Sequence, residues 1–391
     1  MRERLTDSGI EIDLVVPMPS RGIPESVRRD YRTKKFELQN DGKLRIYRFP
    51  LLREPRNPLL RFFRYSISCL KQFRICASLT KRWHHEVLFS ASTPPIQGLL
   101  GAILSKLKKV PFVYNLQDIF PDSLVGTGLA KKNGLLWKIG RKIEDFTYRN
   151  ADKIIVISRD FKKNIMAKGV PEDKIVVIYN WVDENAVVDV PRSENILFDK
   201  YKLDRKKFYV TYSGNIGLTQ NLDLLLEVAA ELKEEYPDIH FVMVGDGAYK
   251  PTMEHLVEER NLSNVSFLPF QPYEDISYVF SLGDAGLVIS KPGVGANSVP
   301  SKTWSIMSAS RPVLANFDEN ELKSIISDNN CGIFSKAGDK EAFKASIVAL
   351  YNDRALGKSM GENGRRFILE NLTREKGTQK YVDVIKSFEK Q

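Results

Sequence analysis

KPGVGANSVPSKTWSIMSASRPV, residues 291–313, is the stretch around which the rest of the chain can be ordered. It follows the apolar run GLVIS (Gly286–Ser290), which reads as a strand. A loop with Pro292, Gly293 and Gly295 comes next. Pro300 then opens a helix, with Ser298 or Ser301 available as its cap. A glycine-bearing loop that feeds a helix N-terminus presents backbone N–H groups and the positive end of the helix dipole. Lys302, in the first turn, adds a full positive charge. Two readings compete for this stretch, an anion site of the kind a diphosphate fills and an ordinary strand–loop–helix connection. The residue types alone do not separate them.

With 391 residues, 42% of them hydrophobic, the chain is long enough for two packed domains. Cys69, Cys76 and Cys331 are too few and too scattered for a disulfide framework, and no C-x-x-C pair suggests zinc, so a reducing compartment fits best. The start MRERLTDSGIEIDLVV lacks a signal-peptide apolar core. No window approaches the ~20 apolar residues of a spanning helix. The expectation is a cytoplasmic protein, peripheral on the inner face of the plasma membrane. The net charge of +10 is divided unevenly: residues 1–180 hold 34 Lys and Arg against 18 Asp and Glu, and the remainder is net negative. A basic half of this kind faces anionic lipid, nucleic acid or an acidic substrate.

Taken in order, the chain alternates strand and helix. Ile10–Pro19 reads as a buried strand entered from the end of a helix, where a parallel α/β domain would place another strand, a glycine turn and a full helix first. A loop with Arg21, Arg28, Arg29 and Arg32 follows, then the strand Lys43–Pro50. Lys43 to Arg82 contains eleven Lys and Arg and one acidic residue, Glu54. Within it, Asn57–Leu79 has helical periodicity. Leu59, Phe63, Leu70 and Phe73 share one face, and Arg61, Arg64, Lys71 and Arg74 another. The apolar face is expected to pack on the domain's own sheet, and the charge to meet a membrane surface.

Strands are also expected at Glu86–Thr93, Pro111–Asp118, Ala151–Ser158 and Lys174–Asp183. Asp183–Asp204 reads as a linker. A second series has strands at Phe208–Gly217, Ile239–Gly247, Val265–Phe270, Ala285–Ser290, Arg311–Ala315 and Cys331–Ser335, and is helical from Lys340. Two doubly wound parallel sheets are expected.

In such sheets, ligands gather at the carboxyl ends of strands. The loops Ser213–Gly217, Gly245–Gly247 and Gly293–Gly295 all fall there, and their convergence says more than any one of them. Asp118 and Asp122, in QDIFPDS (Gln117–Ser123), occupy a like position in the first half, where Asp122 or Ser123 simply capping a turn or helix is an equal alternative. There is no G-x-x-x-x-G-K-[ST] loop, which disfavours a P-loop ATPase, and the four histidines carry no metal-ligand spacing.

The motifs LLREPRNPLLR, NLQDIFPDS, RNADKIIVIS, KIVVIYNWVD, YSGNIGLTQNLD, FVMVGDG and VPSKTWSIMSASRPVLA, in this order, resemble the GT-B glycosyltransferases. The resemblance is to the retaining family-4 enzymes of bacterial surface-polysaccharide synthesis, and within them to the N-acetyl-L-fucosamine transferases of O-antigen and capsule assembly. It covers nearly the whole chain.

It implies two Rossmann-like domains facing across a cleft: residues 1–185 for the acceptor, 186–375 for the nucleotide sugar, and a helix at 376–391 crossing back. The first domain lacks its first strand and helix, which points to a truncated or misannotated start or a diminished acceptor domain. Gly214, Asn215 and Gly217 would lie near the diphosphate, with Gln220 where the family has a lysine. Gly245 and Asp246 belong to the second glycine turn. Phe270 and Gln271 would meet the base. Asn297, Ser298, Ser301 and Ser305 would serve the diphosphate, ribose and sugar. The family's two glutamates are replaced here by Asn297 and Ser305, so a charge-assisted bond is lost. Lys302 would supply the compensating cation, and Asp118 or Asp122 would position the acceptor or the donor sugar.

The implied reaction moves a sugar from a UDP-sugar to a polyprenyl-diphosphate-linked saccharide, with retention and without a required metal or other cofactor. The competing readings are a GT-B nucleotide-sugar epimerase and a non-catalytic basic protein of membrane surfaces or nucleic acid. No nucleic-acid-binding motif accompanies the arginines, so nucleic acid is not an expected partner.

Overall fold

The computed structural model describes residues 1–19, 23–52, 57–82, 84–94, 96–126, 131–296 and 299–389. The chain divides into two compact units. The first comprises Met1–Ile157, Phe161–Ile178 and Thr378–Gln391, and the second Ser158–Asp160 and Tyr179–Gly377.

The first unit begins with α1 (Arg2–Asp7), β1 (Ile12–Pro17), α2 (Glu25–Tyr31), β2 (Phe36–Gln39), β3 (Leu44–Phe49) and α3 (Pro58–Arg82). It continues with β4 (Leu88–Ala91), α4 (Ile96–Lys108), β5 (Phe112–Leu116), α5 (Asp122–Gly126), α6 (Leu135–Asn150), β6 (Lys153–Val156), α7 (Arg159–Ala167) and β7 (Ile175–Val177). Strands β4 to β7 form a parallel sheet in chain order, around a core that includes Phe112, Leu116, Ile154 and Val156. Their near-continuous apolar runs reflect cover on both faces.

The expectation of one parallel sheet in this unit needs correction on two counts. Strand β1 pairs in parallel with β3, and β3 antiparallel with β2, in a separate three-stranded sheet. The stretch read as an arginine loop contains α2, which buries nothing and is held by Glu25 pairing with Arg28 (3.6 Å) and Arg32 (3.0 Å). A helix without an apolar face leaves no periodic signal.

Helix α3 also departs from its expected orientation. Leu60, Phe63, Ile67 and Leu70 are 57%, 60%, 43% and 50% exposed, a stripe at helical spacing on the outer side. The buried side instead carries Arg64, Ser68, Cys69 and Leu79. Arg64 turns inward because its Nε donates to the Leu52 carbonyl at 2.7 Å, and Lys71 Nζ donates to the Pro50 carbonyl at 3.0 Å. The inward face is itself apolar further along, where Ile75, Cys76 and Leu79 pack with Val15 and Phe49. The side chains of Leu59 and Arg61 lie outside the described residues.

The second unit contains α8 (Ile196–Lys200), β8 (Phe208–Ser213), α9 (Leu222–Glu235), β9 (Ile239–Val244), α10 (Lys250–Glu259), β10 (Val265–Leu268), α11 (Ile276–Phe280) and β11 (Ala285–Ile289). Then come α12 (Lys302–Ser308), β12 (Val313–Phe317), α13 (Glu321–Asp328), β13 (Gly332–Lys336), α14 (Lys340–Asn352), α15 (Arg354–Asn371) and α16 (Arg374–Lys386). The chain passes from the second unit back to the first within α16. The stretch read as a linker contributes α8 to the core. Leu197 and Phe198 are fully buried, and Asn195 caps the helix by accepting from Leu197 N at 3.1 Å.

All six strands are parallel, in the order β10-β9-β8-β11-β12-β13. The chain starts in the middle at β8, builds outward through β9 and β10, then returns to lay β11 on the other side of β8. That reversal leaves a crevice beyond the carboxyl ends of β8 and β11, where open α/β sheets bind ligands.

Candidate functional site

The crevice between β8 and β11 is floored by two glycine turns joined through their main chains. Gly214 N donates to the Val244 carbonyl (3.0 Å), Ile216 N to Asp246 O (2.9 Å) and Tyr249 N to Ile216 O (3.1 Å). Contact this close requires glycine. A Cβ on Gly245, whose φ is +146°, would stand 2.0 Å from the Gly214 carbonyl oxygen. Tyr212, at the end of β8, donates its hydroxyl to the Asn215 carbonyl at 2.6 Å and fixes the first turn from below. Asn215 and Asp246 are exposed at the tips, and Asp246 accepts from Gly247 N at 2.8 Å.

Lys302 enters from the other side. Its Nζ lies 3.7 Å from the centre of the Tyr212 ring and would be 3.1 Å from a Cβ on Gly214. Among the described residues no carboxylate forms an ion pair with it. Burial lowers its pKa from 10.5 to about 7. The residue as a whole keeps some surface. The enclosed part is the ammonium end, and it is the part that matters for titration. The aromatic face offsets a fraction of the desolvation. The result is a cation site held ready in a crevice that supplies no counter-charge of its own.

Helix α12 is anchored firmly enough to hold this geometry. Trp304 is 2% exposed and packs on Phe367 with ring centres 6.3 Å apart. Arg365 of α15 donates to the Ser308 carbonyl (2.9 Å) and to Ser308 Oγ (2.7 Å). Gly361 lets α15 approach, since a Cβ there would come within 2.1 Å of the Ser310 carbonyl.

The loop before α12 corrects the opening expectation. Gly293 N and Gly295 N do not point at a ligand. Each donates to the carboxylate of Asp318, at 2.9 and 2.7 Å. Asn320 Nδ2 holds the Gly295 carbonyl at 2.8 Å. The strand-end residues after β12 thus organise this loop, and sequence reasoning passed over them. The available signal was a carboxylate and an amide directly after VLANF, on the same sheet edge as the three glycine loops.

A cavity of about 230 Å³ opens here, lined by Thr219, Gln220, Ser290, Gly295, Pro300 and Lys302 among others. Ser290 Oγ is buried with no hydrogen-bond partner among the described residues. It is a polar group available to a ligand.

The remaining expected residues divide. Gln220 lines the cavity, its Oε1 accepting from Thr219 Oγ1 at 3.2 Å. Ser301 is exposed at the N-cap, and Ser305 is half-buried. Asn297 and Ser298 lie outside the described residues. Phe270 is 79% exposed. Gln271 is buried, with its amide engaged by Lys200 Nζ (2.9 Å), Tyr201 Oη (2.8 Å) and the Pro269 carbonyl (2.6 Å). Its side chain therefore supports the loop from beneath.

Asp118 and Asp122 belong to the first unit. Asp122 is engaged by Lys168 Nζ at 2.7 Å and by Trp137 Nε1 at 3.3 Å. Asp118 accepts from Ser123 Oγ at 3.1 Å. Desolvation raises its pKa, opposed by that hydrogen bond and the one from Ile119 N. Of the two, Asp118 keeps the freer carboxylate. Among the described residues no three His, Cys, Asp or Glu side chains gather into a metal site.

Comparison with known proteins identifies the two halves of the chain. The family description Glycosyl transferases group 1 matches residues 193–367, and Glycosyltransferase Family 4 matches residues 1–186. WcaI of Escherichia coli, named as a colanic acid biosynthesis glycosyl transferase, is 28% identical over 78% of this chain and 75% of its own length. WbjE of Pseudomonas aeruginosa, named as a glycosyltransferase, is 26% identical over 73% of this chain and 70% of its own.

Sucrose-phosphate synthase of Thermosynechococcus elongatus superimposes with a TM-score of 0.76, over 98% of this chain and 90% of that one, at 17% identity. HepE of Anabaena, solved with UDP and glucose, gives a TM-score of 0.71 over 95% of this chain and 91% of that one, at 16% identity. At these identities the structural likeness speaks for the fold alone. Both units are Rossmann-like and both fall to glycosyltransferase descriptions, so the chain belongs to the family-4 glycosyltransferases of the GT-B fold.

Proposed function

We propose that the chain transfers a sugar from a UDP-sugar to a lipid-linked saccharide, with retention at the anomeric carbon, in the synthesis of a surface polysaccharide. The observation that carries the donor half is the Lys302 ammonium, unpaired among the described residues, at the mouth of the β8–β11 crevice. A diphosphate supplies the counter-charge that the protein withholds. UDP in a fold neighbour supports the choice of nucleotide.

In the proposed step the bond from the anomeric carbon to the β-phosphate oxygen breaks. The acceptor oxygen bonds to that carbon on the same face, and its proton passes to the departing phosphate. Charge on the leaving group grows toward the transition state, so Lys302 and the amides of the Gly214 turn contribute most there. Gln220, Ser290 and Ser305 are the candidates for the ribose and sugar hydroxyls. Asp118 is the candidate for positioning the acceptor. The donor is proposed to be an amino sugar, with N-acetyl-L-fucosamine the first to try.

The outer stripe of α3 supports a membrane-bound acceptor. Leu60, Phe63, Ile67 and Leu70 continue along the helix into exposed Arg74 and Lys81, and α3 contains no acidic residue. Apolar side chains with basic neighbours suit the interface of an anionic bilayer. No helix among the described residues is long and apolar enough to cross a membrane. The double substitution Phe63→Asp with Leu70→Asp should leave folding intact and abolish sedimentation with vesicles containing phosphatidylglycerol.

The donor reading is tested by calorimetry with UDP and a panel of UDP-sugars, followed by product analysis on a lipid-linked acceptor. If no UDP compound binds, the transferase assignment to this crevice fails. If UDP-sugars are interconverted without transfer, the epimerase reading replaces it.

A further inference from the structure

The sheet of the second unit carries a further cavity at its opposite edge. The space measures about 290 Å³ and opens at the amino ends of β8, β11 and β12, where Phe208, Asp284 and Pro312 line it. The length of β8 separates it from the β8–β11 crevice by about 17 Å. Helix α15 and the turn that follows α12, Ser310–Pro312, form its sides. Its size stands at the lower end of small-molecule sites, which run from about 300 to 1,000 Å³.

One residue leaves this space open without a packing reason. Gly357 is buried within α15, where glycine weakens a helix relative to alanine. A Cβ there would meet nothing nearer than Leu350 Cδ2 at 3.8 Å and Pro312 Cγ at 3.9 Å, ordinary contacts with two other residues of the cavity wall. Gly361, one turn on, differs, because the Ser310 carbonyl forbids a side chain there. What a longer side chain at position 357 would take up is the cavity itself.

The cations around the cavity are of two kinds. Arg192 and Arg311 are consumed by the fold. Arg192 donates to the carbonyls of Arg205 and Lys207 at 3.0 and 2.8 Å and to Asp284 at 2.6 Å. Arg311 donates to the carbonyls of Ala309 and Ser281 at 3.1 and 3.2 Å and pairs with Asp189 at 2.8 Å. Arg354 and Lys358, one turn apart on α15, are not consumed. Arg354 rests 4.2 Å from the centre of the Phe208 ring. Among the described residues the one carboxylate it meets is Asp284, at 3.1 Å, which also accepts from Arg192 and from Tyr209 N. Lys358 comes no closer to Glu362 than 3.9 Å, with both side chains exposed, and such a pair contributes little. Both cations also stand near the start of an 18-residue helix whose first turn has no acidic residue, against the helix dipole. An anion between them satisfies both and takes the favourable end of that dipole.

We propose that this cavity binds a small phosphomonoester bearing hydroxyl groups, with the phosphate held by Arg354 and Lys358 and a hydroxyl by the Asp189 carboxylate. The planar guanidinium of Arg354, seated on an aromatic ring, is suited to two hydrogen bonds to one phosphate. Asp189 is half-exposed and retains acceptor capacity beyond its pairing with Arg311. The site is independent of the proposed donor crevice, with which it shares no residue.

The test is calorimetry of the full chain with glycerol 3-phosphate, and with inorganic phosphate and glycerol as separate titrants. Glycerol 3-phosphate should bind, inorganic phosphate more weakly, and glycerol not at all. Lys302→Met should bind glycerol 3-phosphate as the wild type does, which separates this cavity from the donor crevice. Arg354→Gln combined with Lys358→Gln should weaken binding at least tenfold. Gly357→Leu, which keeps every charge and fills the space, should do the same, and urea midpoints show that each variant is folded. The proposal is overturned if the wild type does not bind glycerol 3-phosphate, or binds inorganic phosphate as tightly. Affinity unchanged in the folded Arg354→Gln/Lys358→Gln or Gly357→Leu variant, or lost in Lys302→Met, would overturn it equally.

Discussion

Replacing Lys302 by methionine keeps the length of the side chain and removes the charge. The depression of its pKa from 10.5 to about 7 corresponds to roughly 5 kcal/mol of unfavourable burial of the charged form. The Tyr212 face at 3.7 Å returns up to about 2 kcal/mol of this. The sign of the pH dependence follows. Between pH 7 and 10.5 the unfolded chain holds the proton and the folded chain does not, so wild-type stability rises with pH across that window. Below pH 7 the penalty is present in full.

Lys302→Met should therefore be more stable than the wild type by about 3 kcal/mol at pH 6, or roughly 6–10 °C in Tm. The gap should narrow steadily toward pH 10. The same variant should lose at least tenfold in UDP affinity, about 1.4 kcal/mol, since a charge-assisted contact to phosphate disappears. Wild-type UDP affinity should weaken above pH 7, because binding must then take up a proton, and the variant should not share that slope. Urea melts and calorimetry at pH 6, 7.5 and 9 read all three effects. A variant that is less stable at pH 6 and binds UDP as well as the wild type would refute the reasoning.

Gly245→Ala places a methyl group 2.0 Å from the Gly214 oxygen and should destabilise the second unit by about 3 kcal/mol or more, measured by urea unfolding. Asp318→Ala releases Gly293 N and Gly295 N, and should cost about 1–3 kcal/mol and weaken UDP binding by titration calorimetry. His240 is held neutral by burial, which lowers its pKa to about 4. The unfolded chain takes up that proton first, so roughly 3 kcal/mol of stability should be lost as pH falls from 6.5 to 4, and His240→Phe should flatten that limb of the profile. Asp118→Asn should reduce turnover without altering UDP affinity, whereas Asp122→Asn should chiefly and modestly lower Tm, because it removes one of the two carboxylates that Lys168 meets, Glu144 being the other.

The central strands of the second unit were legible because they are buried on both faces. Ile239–Val244 has no exposed position, and every residue in it but His240 is apolar. Strand β2 and helix α2 were illegible for the opposite reason, since FELQ and ESVRRDY bury no side chain. The orientation of α3 failed differently. Periodicity shows that two faces exist, but apolar residues lie on both, and it is Ile75, Cys76 and Leu79 that pack with Val15 and Phe49 while Arg64 turns inward to the Leu52 carbonyl. At the site, Lys302 and the glycine turns could be found by residue type. For Asp318 the sequence offered only its place at a strand end, because its role depends on which amides it meets.

The two glycine turns beneath the crevice are sewn together by main-chain atoms alone, through Gly214, Ile216, Asp246 and Tyr249. Of their exposed tips, Asp246 still ties its own turn through Gly247 N, whereas no hydrogen bond of the Asn215 side chain holds the floor among the described residues. Exchange of Asn215 would therefore leave the floor in place. Such a division lets an exposed position vary at little cost to the main chain that shapes the crevice.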